Sequence, residues 1–391
     1  MAKKNVAKKE AAKRDIDVVA AGHICVDITP AFGQVSGSTI GEILRPGKLL
    51  VVGAPTISTG GPVSNTGLAL RRLGLKVSLM GKCGDDPFGQ VLLDILRREA
   101  PGAESGMSVV PGEKTSYTIV IVIPGIDRIF LHCPGSNDTF GAEDVDLDVV
   151  RRARLFHFGY PPLMRRMYAG GGVELAKVMK EAREAGAVTS LDLALPDPDS
   201  EAGRADWRAI LSKALPHVDV FLPSLEELLF MLRRKRFDEL THGASSIADT
   251  FGPDDVRGLA DECLKMGARV VVLKCGHVGA YVRTAHSLDG MKELLGEPAH
   301  WKDIELFEPT CRVEKIVSTT GSGDSSIAGF LAAMLRGLSP KQCMSVLTIV
   351  GAQNLSALDA VSGVRSWDET LDQLATSPMK NAVRDGLVEL V

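Results

Sequence analysis

Between residues 155 and 273, short apolar runs alternate with amphipathic stretches, and that rhythm leaves few architectures open. Residues 155–158, 188–191, 218–222 and 270–273 are runs dominated by Val, Leu and Phe, the pattern of strands buried on both faces. The intervening segments, near 172–185, 204–215, 225–234 and 254–266, carry apolar residues at helical spacing. Parallel strands joined through helices require right-handed crossovers, so the spacing predicts an α/β fold with a central, mostly parallel sheet covered on both faces.

The flanking chain extends this reading. Residues 17–21 and 76–80 read as strands, and 62–74, 87–99, 321–335 and 340–358 as helices. Two pieces break the rhythm. Residues 30–56 mix Gly, Pro and Ser with β-prone bits such as 48–52, while 116–123 and 128–132 flank Pro124-Gly125 as a hairpin would. We therefore expect an α/β core from 16–27, 57–113 and 137–391, with a small β-rich element from 28–56 and 114–136. A flexible basic tail, 1–15, precedes them, and the charged segment 284–304 reads as an insertion.

Charge and cysteine usage narrow the function. The net charge of −4 offers no basic field for nucleic acid, and the lysines at 3, 4, 8, 9 and 13 with Arg14 read as a solvated tail. No apolar run approaches the roughly 18 residues of a membrane helix, nor is there a secretory signal. The seven scattered cysteines form no CxxC pair and the histidines no HExxH, which suits reduced thiols in a cytoplasm and argues against a protein-built zinc site.

Two segments carry chemistry. In Ser318-Thr-Thr-Gly-Ser-Gly-Asp324, small residues lead into an apolar helix, so loop amides and the helix N-terminus can hold anionic oxygens. Asp324 there is open to two readings, a helix cap or a base for an acceptor hydroxyl. In Ser58-Thr-Gly-Gly-Pro-Val-Ser-Asn65, a glycine turn enters a helix whose Asn65 can donate to and accept from hydroxyls. By itself this second pattern better describes an ordinary glycine turn into a helix.

Together the two segments resemble the paired signature motifs of the PfkB/ribokinase family of carbohydrate kinases, in the family's order and spacing. The first runs from Gly60-Gly61 through Asn65, Leu73-Gly74, Gly81, Gly84-Asp85-Asp86 and Gly89; the second ends at Gly321-Ser322-Gly323-Asp324. The resemblance implies a ribokinase-like three-layer fold in which the β-rich element is a lid, often shared across a homodimer. It implies Asp324 as catalytic base, the amides of Gly321, Ser322 and Gly323 as anion hole, and Asp27, Gly60, Gly61 and Asn65 as substrate-binding. Gly135 and Asn137 would mark the return from lid to core. Lys274, Gly276 and Gly279 would shape the nucleotide loop, and Ser224 with Glu227 would organise phosphate and Mg2+ through water. ATP and Mg2+ would be required, with K+ an open question.

Two departures stand out: Ser318 where the family has Asp, and Ser224 where it has Asn. They keep a non-catalytic sugar- or nucleotide-binding regulator in view beside a nucleoside kinase of the same fold. Among other residues, His132 and His157 read as core histidines, Asp192 as a phosphate-facing group or a loop cap, and Arg233–Arg236 as a solvated helix end.

Overall fold

The computed structural model describes residues 14–33, 39–123, 128–244, 246–376 and 378–390. The chain opens with β1 (Ile16–Gly22), β2 (Cys25–Ala31) and β3 (Gly53–Gly60), followed by β4 (Val77–Met80), β5 (Lys82–Gly84) and β6 (Ser108–Val110). Next come β7 (Tyr117–Ile121), β8 (Ile129–Cys133), β9 (Ala153–Gly159), β10 (Val188–Leu191) and β11 (Val220–Phe221). The last strands are β12 (Val270–Lys274), β13 (Gly279–Thr284) and β14 (Glu305–Pro309).

Eight strands form the main sheet in the order β4-β1-β9-β10-β11-β12-β13-β14. Pairings from β4 to β12 are parallel and the last two antiparallel. Side chains alternate between faces along each strand. Val18, Ala20, Val270 and Val272 accordingly join one core, while Val19, Ala21, Val271 and Leu273 join another on the opposite face. The first core packs against helices Pro62–Arg72, Pro87–Glu99, Ser322–Leu335 and Pro340–Asn354. The second packs against Val173–Glu184, Trp207–Ala214, Leu225–Leu232 and Pro253–Lys265. The result is a three-layer α/β fold. Burial on both faces is why the central strands are mostly apolar.

A second sheet, in the order β3-β2-β7-β8, stands apart. Only His23 and Ile24 separate β1 from β2, so the chain passes directly from one sheet into the other. The register Asp27↔Thr118 and Thr118↔His132 puts these three side chains on one face. The β structure starts at Cys25 and runs to Gly60, so Asp27 and Gly60 belong to this small sheet, not to the core side of the expected division.

Several expectations need correction. Residues 48–52 form no strand; Leu49 and Val51 are exposed. The segment 284–304 is no loose insertion, because Met291, Leu294, Leu295 and Trp301 are buried in the first core. Strands β13 and β14 were not foreseen, since at this antiparallel edge the apolar run is broken by Arg283, Glu305 and Glu308. The helix expected to reach 358 stops at Asn354. Arg234 and Lys235 are exposed, as expected of a solvated segment, but Arg233–Arg236 does not simply end a helix, since a second one, Arg234–Thr241, begins there. Arg234 lies 4.2 Å over the Phe230 ring, and Arg236 pairs with both carboxylate oxygens of Asp255 at 2.9 and 3.0 Å. The basic tail lies outside the described residues up to residue 13, while Arg14 pairs with Glu293. Among the described residues no helix is long and apolar enough to cross a membrane.

Candidate active site

The helix Ser322–Leu335 is entered through Gly321, whose φ of +70° is in the left-handed region. A Cβ there would lie 2.4 Å from that of Ala360, so only glycine allows this entry. Asp324 sits in the first turn, where a carboxylate ordinarily caps a helix. It does not do so here: no side chain caps this helix. Its partners come from far along the chain. Asn65 Nδ2 donates to Oδ2 at 2.9 Å, the Tyr160 hydroxyl lies 3.0 Å from both oxygens, and the Thr66 hydroxyl reaches Oδ1 at 3.5 Å. Asn65 and Thr66 belong to the buried helix Pro62–Arg72, which packs against the helix bearing Asp324.

Asp324 is only 3% exposed. Burial raises its pKa above the ordinary value, while the Asn65 bond, the nearby Lys274 charge and the Tyr160 bond pull the other way. Lys274, at the end of β12, donates to Asp192 Oδ1 at 2.6 Å and to the Leu222 carbonyl at 2.5 Å. Burial opposes its charge, yet Asp192 and Glu227 hold its pKa above normal. Burial likewise pushes the Asp192 carboxyl up, against the pull of Lys274. Asp192 lines a cavity where a phosphate-facing group would stand, and its carboxylate is engaged by the lysine rather than capping the loop.

These groups line a cavity of ≈ 870 Å³. Of the residues singled out in the sequence, Ser322, Gly323, Asp324, Ser224, Glu227, Lys274, Gly276 and Gly279 are on its wall. Leu193, Ile247, Ala248, Leu347 and Leu355 supply apolar surface to the same wall. Gly321, Asp27, Gly60, Gly61 and Asn65 are not on it. Asn65 meets it through Asp324, and Asp27 feels the Asp324 charge. Asp27 and Gly60 are brought together by close approach, because a Cβ on Gly60 would lie 2.3 Å from Asp27 Oδ2. Burial pushes the Asp27 carboxyl up to about 6, against hydrogen bonds from Cys25 and Thr118.

The two departures have local explanations. Ser224 caps the helix Leu225–Leu232. Its hydroxyl accepts from Glu227 N at 3.1 Å, and its own N–H donates to Glu227 Oε2 at 2.7 Å. Ser318 accepts from Thr320 N at 3.1 Å and so shapes the loop before Gly321. Asn137 bonds both backbone groups of Ile24, fixing the crossing between the sheets, and Gly135 turns at φ +52° just before it.

His157 is a core histidine bonded to Ser190, as expected, but His132 is not. It faces the Asp27 side of the small sheet, bonded to Thr118 at 3.0 Å and lying 3.4 Å from His23. Tyr160, Thr66, His23 and Arg128 escaped sequence reasoning. Arg128 on the cavity wall donates to Thr320 at 2.7 Å, linking the β8 end of the small sheet to the glycine loop. The one available signal was Tyr160-Pro161-Pro162 directly after a strand ending in glycine.

Residues 17–363 match the family model described as pfkB family carbohydrate kinase. The chain belongs to this family. A pfkB kinase phosphorylates a carbohydrate hydroxyl, and this chain is accordingly a carbohydrate kinase. Among its relatives, an uncharacterized sugar kinase of Archaeoglobus fulgidus is 26% identical, with 77% of this chain and all of that protein aligned. The probable fructokinase-4 of Arabidopsis thaliana is 31% identical over 57% of this chain and 64% of its own length. The solved ribokinase of Arabidopsis thaliana, in complex with ribose and ATP, superposes with a TM-score of 0.68 at 17% identity. That superposition covers 92% of this chain and 98% of the other, and places the pfkB kinase in the ribokinase-like fold.

Proposed function

We propose that this kinase transfers the γ-phosphoryl group of Mg·ATP to a hydroxyl of a sugar or sugar-like small molecule, with Asp324 as base. One observation carries this reading: a buried carboxylate at a helix N-terminus that takes its partners from distant elements and opens onto a cavity beside a glycine loop. The acceptor oxygen attacks the γ-phosphorus while its proton passes to Asp324, and the bond to the leaving ADP breaks. The amides of Gly321, Ser322 and Gly323 would form the anion hole for the charge that builds on the transferring oxygens; Ser322 and Gly323 line the cavity, and the Ser322 N–H would leave the Thr319 carbonyl it now meets at 3.3 Å. Asp27, on the inward face of the small sheet, accepts from acceptor hydroxyls, and Asn65 holds the base in place. Closure of that sheet as a lid would exclude water.

Among the described residues no group of three acidic, His or Cys side chains could hold a metal alone. The arrangement fits a divalent ion that arrives on the nucleotide and meets Glu227 through water, as Mg2+ does when it neutralises phosphate charge. On the outer face of the small sheet, Ile57 and Leu131 are exposed, which supports pairing of two copies through the lid; a monomeric mass by light scattering would contradict it.

The test is an ATP-depletion scan of purified protein against ribose, fructose, other ketoses, cyclitols and adenosine, with product mass measured. A phosphorylated sugar or cyclitol supports the reading. Turnover on adenosine alone moves the assignment to a nucleoside kinase, and binding of sugar and ATP without product moves it to a regulator.

A further inference from the structure

A carboxylate offers about four lone-pair positions, and those of Asp324 are largely taken. Asn65 holds Oδ2, Thr66 approaches Oδ1, and the Tyr160 hydroxyl straddles both oxygens at 3.0 Å each. An acceptor hydroxyl that gives its proton to this carboxylate must displace one of them. Asn65 and Thr66 are fixed, since both sit on a helix buried along its length against the helix of Asp324. Tyr160 is different. It follows β9 on a loop, lines the cavity, and has φ +61°, a conformation unusual for any residue but glycine. Its backbone is pinned by that turn and by Pro161 and Pro162, while its ring projects at the base and lies 6.0 Å from the His23 ring.

We propose that Tyr160 guards the base: its hydroxyl holds Asp324 until an acceptor hydroxyl replaces it at one carboxylate oxygen, so that water does not gain the same position. This rests on the kinase reading above and adds to it how hydrolysis of ATP is suppressed. In productive turnover the acceptor O–H gives its proton to Asp324, an O–P bond forms and ADP leaves. In the unwanted reaction water supplies the proton and inorganic phosphate is the product. Tyr160 keeps its own proton throughout; burial and the Asp324 charge hold the phenol well above its usual range.

Tyr160→Phe removes the hydroxyl alone. Acceptor-independent ATP hydrolysis, divided by phosphoryl transfer to the best acceptor, is expected to rise about ten- to a hundredfold, the equivalent of one hydrogen bond to a charged group. Tyr160→Gly, which suits the left-handed backbone, should show the same rise and serves if the Phe variant folds poorly. A second readout needs no turnover. The Asp324 carboxyl, followed by 13C NMR in aspartate-labelled protein, should titrate at higher pH in Tyr160→Phe, since a donor to the charged form is lost. The other charges facing it, Asp27, Asp192, Glu227 and Lys274, stay in both proteins and do not account for a difference. An unchanged hydrolysis ratio or an unmoved Asp324 titration overturns the guard. If the wild-type protein phosphorylates nothing, the kinase reading fails instead, and the titration still reports on Tyr160.

Discussion

Two helix N-termini face the same cavity, and they use their acidic residues in opposite ways. At the start of Leu225–Leu232, Ser224 and Glu227 satisfy each other's backbone groups across three residues, a wholly local arrangement. At the start of Ser322–Leu335, Asp324 ignores its own helix and binds Asn65 and Tyr160, 259 and 164 residues away. The first carboxylate stabilises a helix. The second is buried and raised above its usual pKa, the state that the proposed proton transfer calls for.

The contrast can be broken most sharply at Asp324 itself. Asp324→Ala should lower kcat by at least about 10²–10⁴-fold, the contribution of a positioned base, measured on protein whose circular dichroism shows intact folding. A variant with wild-type turnover would reduce Asp324 to a carboxylate with no part in proton transfer.

The next effect concerns Asp27. Its carboxyl is raised to about 6, so the charged form that is proposed to accept from substrate hydroxyls is lost as pH falls through that value. Acceptor KM should rise below about pH 6, and Asp27→Asn should show a high KM with no such inflection. The linkage has the opposite sign for stability. A raised carboxyl favours the fold below its unfolded pKa of 3.8 and loses that contribution as pH rises through about 6. Chemical denaturation of wild type and Asp27→Asn across that window measures it.

The smallest effect belongs to the other helix. Ser224→Ala should cost about 0.5–2 kcal/mol of stability, as lost caps do, and move kcat far less than any change at Asp324. Urea unfolding with parallel kinetics separates the two; a large fall in kcat with stability intact would mean that Ser224 touches phosphate.

This division also explains what could be read from the sequence. Strands such as Val270–Lys274 were legible because burial on both faces leaves a run of four apolar residues, and Val188–Leu191 because only small Thr189 and Ser190 interrupt its apolar ends. β13 and β14, with Arg283 and Glu305 paired at a sheet edge, carry no such run. The local capping of Ser224 and Glu227 follows from their spacing of three, whereas nothing local joins Tyr160 to Asp324. The motif segments marked Asp324 and Asn65 because glycines accompany them, but the tyrosine sits on a turn between sheet and cavity and is specified by tertiary packing. Lys274 could be placed near the nucleotide loop; its ion pair with Asp192 could not, since it joins the ends of two strands 82 residues apart.

The decisive measurement is a crystal structure with an acceptor that supports turnover and a non-hydrolysable ATP analogue. The account predicts one acceptor oxygen about 2.6–3.2 Å from the Asp324 carboxylate, in line with the γ-phosphorus and with Tyr160 displaced from that oxygen. An acceptor bound elsewhere, with Asp324 still straddled by Tyr160 and remote from the phosphate, would contradict it.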